Sequence, residues 1–182
     1  MLFKGAGIRS LLIAIERLEG AEGLAAVKAA APAGVRARIE PQVLASRQYP
    51  VEISAALQIA VRDTIGGGSW EISHRLGVEA AYIDFKGIYR VFLRAMDYGS
   101  VWNRIERAFA QYNSQGSVKW TDRTRTSARG QVTGVIGYND GMWSSVAGRV
   151  QGLLLLSGAK EASARAFDGT PQSCSFEATW RP

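Results

Sequence analysis

The side chains best suited to metal binding and nucleophilic catalysis are scarce in this sequence. It has one cysteine, Cys174, and one histidine, His74, which lie 100 positions apart. A tetrahedral zinc site needs four ligands of the Cys2His2 type, and two residues cannot supply them within one chain. A single cysteine also excludes an internal disulfide. We therefore expect no metal site of this kind.

Cys174 lies in the segment "SCSFEATW", residues 173–180. Alternate positions place Cys174, Phe176 and Trp180 on one side of an extended chain, which predicts a final strand with a buried apolar face. A buried cysteine packs as a small hydrophobic residue, whereas a nucleophilic thiolate needs a base and an electropositive environment. The chain also lacks a G-x-S-x-G nucleophile elbow. We predict no catalytic residues and a protein that is not an enzyme.

His74 falls in a predicted helix that follows Ser69, one residue away from the apolar stripe of that helix. Such a position is typical of a histidine at the helix surface. One imidazole can act as an axial haem ligand, but only inside a pocket shaped for haem. The sequence offers no clear sign of that pocket around His74. We therefore expect no cofactor, and haem in particular is not expected.

The densest group of basic residues surrounds Trp120. It comprises Lys119, Arg123, Arg125 and Arg129. Basic side chains interleaved with an aromatic residue are typical of proteins that bind single-stranded nucleic acid. A short solvated hairpin in a basic protein has the same composition. Nucleic-acid binding through residues 119–129 is therefore kept only as the weakest of three functional alternatives.

Composition indicates an ordinary globular chain of 182 residues, 47% apolar and 21% charged, with a net charge of +6. A chain of this length buries enough surface to fold without disulfides or metals. Its longest apolar runs, at 11–15 and 153–156, are far shorter than the ~20 residues of a membrane span. Charged residues follow the first run at once, which favours a helix over a signal peptide. We expect a cytoplasmic protein without a transmembrane segment.

Periodicity predicts an α+β fold. Helical spacing covers 8–18, 22–30, 51–65, 69–83, 88–96, 100–112 and 141–157, and a period of two covers "GSVKWTD", "ARGQVTGVIGY", "EASARAF" and "SCSFEATW". We predict N-terminal helices packed against a small antiparallel sheet made of two hairpins separated by a long helix. The predicted division is an N-terminal helical segment, 1–49, packed on a domain formed by 50–182.

The block "GIYRVFLRAMDYGSVWNRIERAFAQYNSQGSV", followed by strands, a helix and the terminal "CSFEATW", resembles a family of uncharacterised bacterial proteins that occur as many paralogues. That family is related to the 4-vinyl-reductase-type domain and, through it, to the haem-NO-binding and TRAPP-subunit-like ligand-binding fold. The similarity extends to "FKGAGIRSLL" and "YPVEISAALQ". In such domains the last strand often carries a cysteine, an aromatic residue and a later tryptophan, as do Cys174, Phe176 and Trp180.

The resemblance implies a sensory or adaptor domain, frequent homodimerisation and, in some relatives, a hydrophobic ligand cavity. Such a cavity should lie between the aromatic-rich helices and the sheet. Its expected wall comprises Tyr89, Phe92, Trp102, Phe109, Met142 and Val146. The expected partners are a second copy of the chain, a small hydrophobic ligand or a signalling protein. The alternative is a protein–protein interaction scaffold, and a cavity of roughly 300 Å³ or more would favour ligand binding over it.

The strand interpretation of residues 173–180 predicts how Cys174 reacts. A thiol reagent should modify it slowly in the native protein and rapidly after denaturation, because the thiolate is the reactive form and burial disfavours it. Mass spectrometry of timed aliquots measures both rates. Equal rates in the two states would contradict a buried thiol.

Overall fold

The computed structural model describes residues 1–85 and 98–182. Six helices lie in these ranges: α1 (Gly5–Ala30), α2 (Ala33–Ile39), α3 (Val51–Thr64), α4 (Glu71–Asp84), α5 (Tyr98–Tyr112) and α6 (Asp140–Leu156). The helix predicted at 88–96 falls outside the described residues. The remaining helical segments confirm the helical part of the α+β prediction. No helix among the described residues is long and apolar enough to cross a membrane.

Helix α1 contains a break where the sequence predicts one. Gly20 has φ 74° and ψ 179°, a conformation that interrupts the helical ladder between two helical halves. A glycine adopts positive φ without the steric cost that a Cβ would bring. Residues 8–18 and 22–30 therefore form separate helical segments, as their spacing indicates. The second half ends at Ala31, just ahead of Pro32.

The two predicted hairpins join into one antiparallel sheet. A two-stranded ribbon, β1 (Leu2–Lys4) with β2 (Gln48–Pro50), precedes it in the chain. The hairpins are β3 (Ser117–Thr121) with β4 (Ser127–Thr133), and β5 (Glu161–Phe167) with β6 (Ser173–Arg181). Strand order is β3-β4-β6-β5, so the hairpins meet where β4 pairs with β6. The second half of "ARGQVTGVIGY" lies beyond the end of β4.

Burial alternates along β6 as the sequence predicts. Cys174, Phe176, Ala178 and Trp180 are all buried on the inner face of the sheet. That face packs on α5 and α6 and forms one apolar core. A second core contains buried residues of α1, α3 and α4. The placement of a boundary at residue 49 remains a prediction.

Helices α4 and α6 cross at an unusually short distance, because glycines lie at their contact. A Cβ on Gly77 would lie 2.2 Å from the carbonyl oxygen of Ser145, and a Cβ on Gly148 would lie 2.1 Å from that of His74. Gly152 adds a third close approach, against the backbone of Val78. Backbones can approach this closely only where the side chain is a hydrogen atom. The crossing therefore fixes α6 between the helical layer and the sheet.

We expect Gly148→Ala to lower the free energy of unfolding by about 2–3 kcal/mol, because the added methyl group overpacks the crossing and both backbones must separate. Urea unfolding followed by circular dichroism measures the change. Gly34→Ala is the matched control. Gly34 lies in α2, and a Cβ there would have no described atom within 4 Å, so alanine should be neutral or stabilising by about 0.5 kcal/mol. Equal effects at both sites would contradict the close crossing.

Candidate functional site

A partly open cavity of about 90 Å³ lies where the two apolar cores meet. Helices α1, α3, α4, α5 and α6 all contribute to its wall. The apolar part of the wall comprises Phe3, Leu11, Phe85, Ile105, Phe109, Met142, Val146, Val150 and Leu153. The volume is below the 300–1,000 Å³ typical of ligand pockets. A cavity below roughly 300 Å³ favours the interaction scaffold over the ligand-binding domain.

Three of the residues expected to form the cavity wall do line it: Phe109, Met142 and Val146. Trp102 does not line it. Its ring packs against the sheet instead, with its centroid 4.3 Å from that of Trp120 and 5.4 Å from that of Trp180. Spacing along a helix cannot reveal this difference, because the same apolar face of α5 contacts both the sheet and the cavity. Tyr89 and Phe92 lie outside the described residues, and ligand contact at any of these positions remains a prediction.

A charged pair forms one part of the cavity wall and its surroundings. The Arg149 guanidinium donates from one terminal nitrogen to Oδ2 of Asp84 and from the other, at 2.8 Å, to Oγ of Ser10. Tyr112 donates its hydroxyl to the same carboxylate at 2.8 Å. The Arg149 and Asp84 side chains are only 21% and 14% exposed. Such shielding from water means that removing either partner would leave a costly unpaired charge.

The two cavity tyrosines are held in their neutral form. Burial raises the pKa of Tyr112 to about 12, against a smaller lowering effect of the Arg149 charge. Burial likewise raises the pKa of Tyr138, whose hydroxyl donates to Oδ1 of Asn113 at 2.8 Å. Both phenols therefore act as hydrogen-bond donors at neutral pH, and each already has an acceptor.

The polar wall of the cavity was missed by the sequence analysis. Ser54 and Gln58 are one turn apart on α3 and are 4% and 2% exposed. Arg149 is the one charged residue of the cavity wall on α6. The sequence did carry a signal for Gln58 and Arg149. Each of them interrupts a helix in which the neighbouring positions are strongly apolar. Periodicity treats such residues as surface positions, so their burial emerges only when a second helix covers that flank.

His74 and Cys174 lie elsewhere, in a second cleft of about 410 Å³ between α4, α6 and the β5–β6 hairpin. The Nε2 atom of His74 is 3.0 Å from the carbonyl oxygen of Ala164. Burial raises the pKa of the Cys174 thiol to about 11, and two nearby aspartates contribute to the increase. This environment disfavours a thiolate. Among the described residues no group of three or more His, Cys, Asp or Glu side chains is arranged to hold a metal ion.

Two of the four basic residues around Trp120 have acidic or backbone partners. Arg123 donates to Glu106 at 2.8 Å and to the carbonyl oxygen of Trp120 at 2.9 Å. Arg129 lies 3.8 Å from Glu177. The other two members of the group, Lys119 and Arg125, lie on β3 and in the β3–β4 turn. The nearby carboxylates offset part of the positive charge, which does not favour nucleic acid, and binding there remains a prediction.

Solved structures match the chain along nearly its whole length. An Fe(II) unliganded H-NOX protein from K. algicida matches at a TM-score of 0.70 and 11% identity, with 98% of this chain and 97% of that chain covered. An oxygen-binding H-NOX domain related to soluble guanylate cyclases, in its oxygen complex, matches at 0.60 and 12%, covering 98% and 95%. A third structure, from work on modulating heme redox potential through porphyrin distortion, matches at 0.61 and 12%, with the same coverage.

At these identities the likeness shows the fold alone. The chain has the H-NOX, or haem-NO-binding, fold, and this confirms one of the three related folds named from the sequence. The relations to 4-vinyl reductases, TRAPP subunits and the paralogous bacterial family remain predictions. No family model matches the chain, and no curated protein matches its sequence.

The expectation that the chain takes no cofactor, and not haem, is contradicted by these comparisons. The matching structures are H-NOX proteins, and their descriptions name Fe(II), heme and bound oxygen. The expectation was wrong because it was based on the environment of one histidine. Haem iron is also held by cysteine, methionine or tyrosine, so the surroundings of His74 do not decide whether the chain takes haem. The comparisons therefore point to haem.

The described cavity residues fit a haem only in part. The apolar wall and the Arg149 guanidinium suit the faces and the carboxylates of a porphyrin. The described wall offers few ligands for the iron, because it contains no imidazole or thiol and both phenols are protonated hydrogen-bond donors. Met142 is the remaining described candidate. A volume of about 90 Å³ is too small to admit a porphyrin.

We expect Tyr112→Phe to change the stability of the protein at high pH. The folded-state pKa of about 12 exceeds the ordinary value of 10. The stabilisation associated with this shift is therefore complete below pH 10 and is lost as pH rises towards 12. Wild-type unfolding free energy should fall by about 2–3 kcal/mol more than that of the variant over this range.

Urea unfolding at pH 8, 10, 11 and 12 measures this difference. At pH 8 the variant should be less stable by about 1 kcal/mol, since it lacks the hydrogen bond to Asp84. The pH 8 comparison separates that loss from the titration. An identical pH dependence in both proteins would contradict the raised pKa.

Proposed function

We propose that this chain is a cytoplasmic, homodimeric, non-enzymatic sensory domain that binds a haem-related tetrapyrrole in the cavity between its helices. The observation that supports the proposal most strongly is the match to H-NOX structures over 98% of the chain. The position of the cavity at the meeting point of two cores also supports it. A ligand there contacts both halves of the molecule, so binding is transmitted to the sheet and the N-terminal helices together.

Arg149 and the apolar wall would hold the tetrapyrrole through its periphery. Carboxylates pair with guanidinium groups through strong charge-assisted hydrogen bonds. Porphyrin faces would pack on residues such as Phe109, Met142 and Val146. Because the cavity provides only about 90 Å³, loading requires its walls to move apart. A ligand that stabilises the open form shifts the population towards it, and this shift is the proposed signal.

The test is a titration of the purified protein with haemin and, separately, with metal-free protoporphyrin. Since the described wall offers the iron few ligands, both compounds should bind with affinities within about tenfold of each other. Absorption spectra report haemin, fluorescence reports protoporphyrin, and native mass spectrometry gives bound mass and oligomeric state together.

Two variants sharpen this test. Val146→Phe fills the cavity and should abolish binding of both compounds, while circular dichroism verifies that it folds. His74→Ala is the matched control, since His74 lies in the second cleft, and it should bind as wild type does. Loss of haemin binding in His74→Ala alone would contradict the proposed site. Failure of the wild-type protein to bind either compound would contradict the proposed ligand class.

The small cavity volume favours one second candidate, an interaction scaffold for a signalling protein. In that case the core is packed to nearly native density throughout and the cavity is a packing defect. The scaffold predicts a dimer of bare protein in native mass spectra and no response to either porphyrin. The same experiment therefore separates the two functions.

A further inference from the structure

Both backbone groups of Trp120 are capped by side chains at an edge of the sheet. Strand β3 is an edge strand, since the strand order is β3-β4-β6-β5. Glu106 of α5 accepts a hydrogen bond from the Trp120 N–H at 3.3 Å, and Arg123 donates to the Trp120 carbonyl oxygen at 2.9 Å. Arg123 and Glu106 also pair with each other at 2.8 Å. An ion pair therefore occupies the place that a neighbouring strand would take.

Val118 lies two positions earlier on β3 and presents its backbone to the same side, because alternate residues of an antiparallel strand direct their N–H and C=O groups the same way. In the part of the chain that the structure describes, these two groups have no hydrogen-bond partner outside the sheet. Open groups of this kind on an edge strand are a template for a further strand. The β3 edge thus has an open pair of groups at Val118 and a capped pair at Trp120.

The ion pair that caps Trp120 reaches the solvent. The side chains of Glu106 and Arg123 are each 33% exposed, and exposed ion pairs contribute little to stability. A competing strand can therefore displace them. The Glu106 carboxylate also shows which chemistry suits this edge, because it accepts from a main-chain N–H and from a guanidinium together. An incoming strand supplies a carbonyl oxygen for the first donor and an acidic side chain for the second.

The charges around the edge select an acidic partner. Lys119 is exposed on β3 and Arg125 is exposed in the turn that follows, and neither forms an ion pair with a described residue. Asp122 is the one acidic residue in the stretch 119–129. A nucleic acid would meet the same cations. It has no peptide groups to pair with Val118 and Trp120, so the edge favours a protein chain.

We propose that the β3 edge binds an extended acidic segment of a partner protein, which adds to the sheet as a further strand beside Val118 and Trp120. Its backbone replaces the two side-chain caps, and its carboxylates pair with Lys119 and with the released Arg123. Glu106 is then an internal competitor of the partner. None of these residues lines the cavity, so the inference goes beyond the proposed function and does not depend on it.

The experiment titrates the full chain into the fluorescein-labelled peptide acetyl-Ser-Val-Glu-Val-Glu-Val-Ser-amide and follows fluorescence anisotropy at low ionic strength. One control peptide has its central N–H groups methylated, so it cannot pair along a strand. A second control has lysine in place of glutamate. The acidic peptide should bind about tenfold or more tightly than either control, since the first loses several backbone hydrogen bonds and the second reverses the charge. Hydrogen exchange at the Val118 amide should slow when the acidic peptide binds.

Glu106→Gln tests the internal competitor. It removes the charge that holds Arg123 and should tighten binding of the acidic peptide about two- to fivefold, as expected for the loss of an exposed ion pair. Glu79→Gln is the matched control. Glu79 pairs with Arg17 at 2.7 Å in the helical layer, and this variant should bind the peptide as wild type does.

Lys119→Glu tests the charge of the edge and should weaken binding about fivefold or more, because it places like charges on neighbouring strands. Lys160→Glu is its control. It changes the net charge equally, but Lys160 is exposed just ahead of β5, at the opposite edge of the sheet. Its affinity for the peptide should stay within about twofold of that of wild type.

Four results would overturn the inference. Wild type that fails to bind the acidic peptide excludes the site, and equal binding of the methylated peptide shows attraction by charge without strand pairing. Tighter binding of a single-stranded oligothymidylate than of the peptide assigns the edge to nucleic acid instead. Unchanged affinity in a folded Glu106→Gln removes the competitor. The first three results need no variant, so the test stands even if a variant fails to fold.

Discussion

The close crossing of α4 and α6 is the constraint on which the rest of the structure depends. Gly77 and Gly148 each place a hydrogen atom against the backbone of the opposite helix. With α6 held there, one of its flanks faces α3 and α5 and the other faces the β5–β6 hairpin. The same contact thus creates two separate spaces. One contains Arg149 and Met142, and the other contains the only histidine and the only cysteine.

Arg149 adds polar contacts between the same helices. It is the one basic residue of α6, and it links this helix to Asp84 at the end of α4 and to Ser10 on α1. A partly buried charge with several partners fixes relative positions more strictly than apolar contacts do, because any displacement leaves a donor or acceptor unpaired. The hydrogen bonds of Arg149 therefore hold the helices around the cavity in fixed relative positions. A ligand that disturbs Arg149 affects three helices at once.

The fold and the side chains of the cavity wall point to different ligands. H-NOX structures with similarity along nearly the whole chain point to haem, whereas the described wall offers apolar surface, a guanidinium, protonated phenols and one thioether. One fold accommodates many ligands because the backbone determines where a cavity lies, while a few side chains determine what it holds. The imidazole of His74 outside the cavity and the guanidinium of Arg149 in its wall are both features of this chain itself.

The sequence alone determined the α+β class, the helix break at Gly20, the two hairpins and the buried face of β6. These features depend on local periodicity and backbone freedom, which a short window of residues carries. It also identified Phe109, Met142 and Val146 as apolar residues of the helices that form the cavity wall. Only the tertiary structure decided that Trp102 packs on the sheet while Phe109 reaches the cavity, and that Gln58 and Arg149 are buried. Those outcomes depend on which helix covers which flank, and that is decided by contacts between residues far apart in the chain.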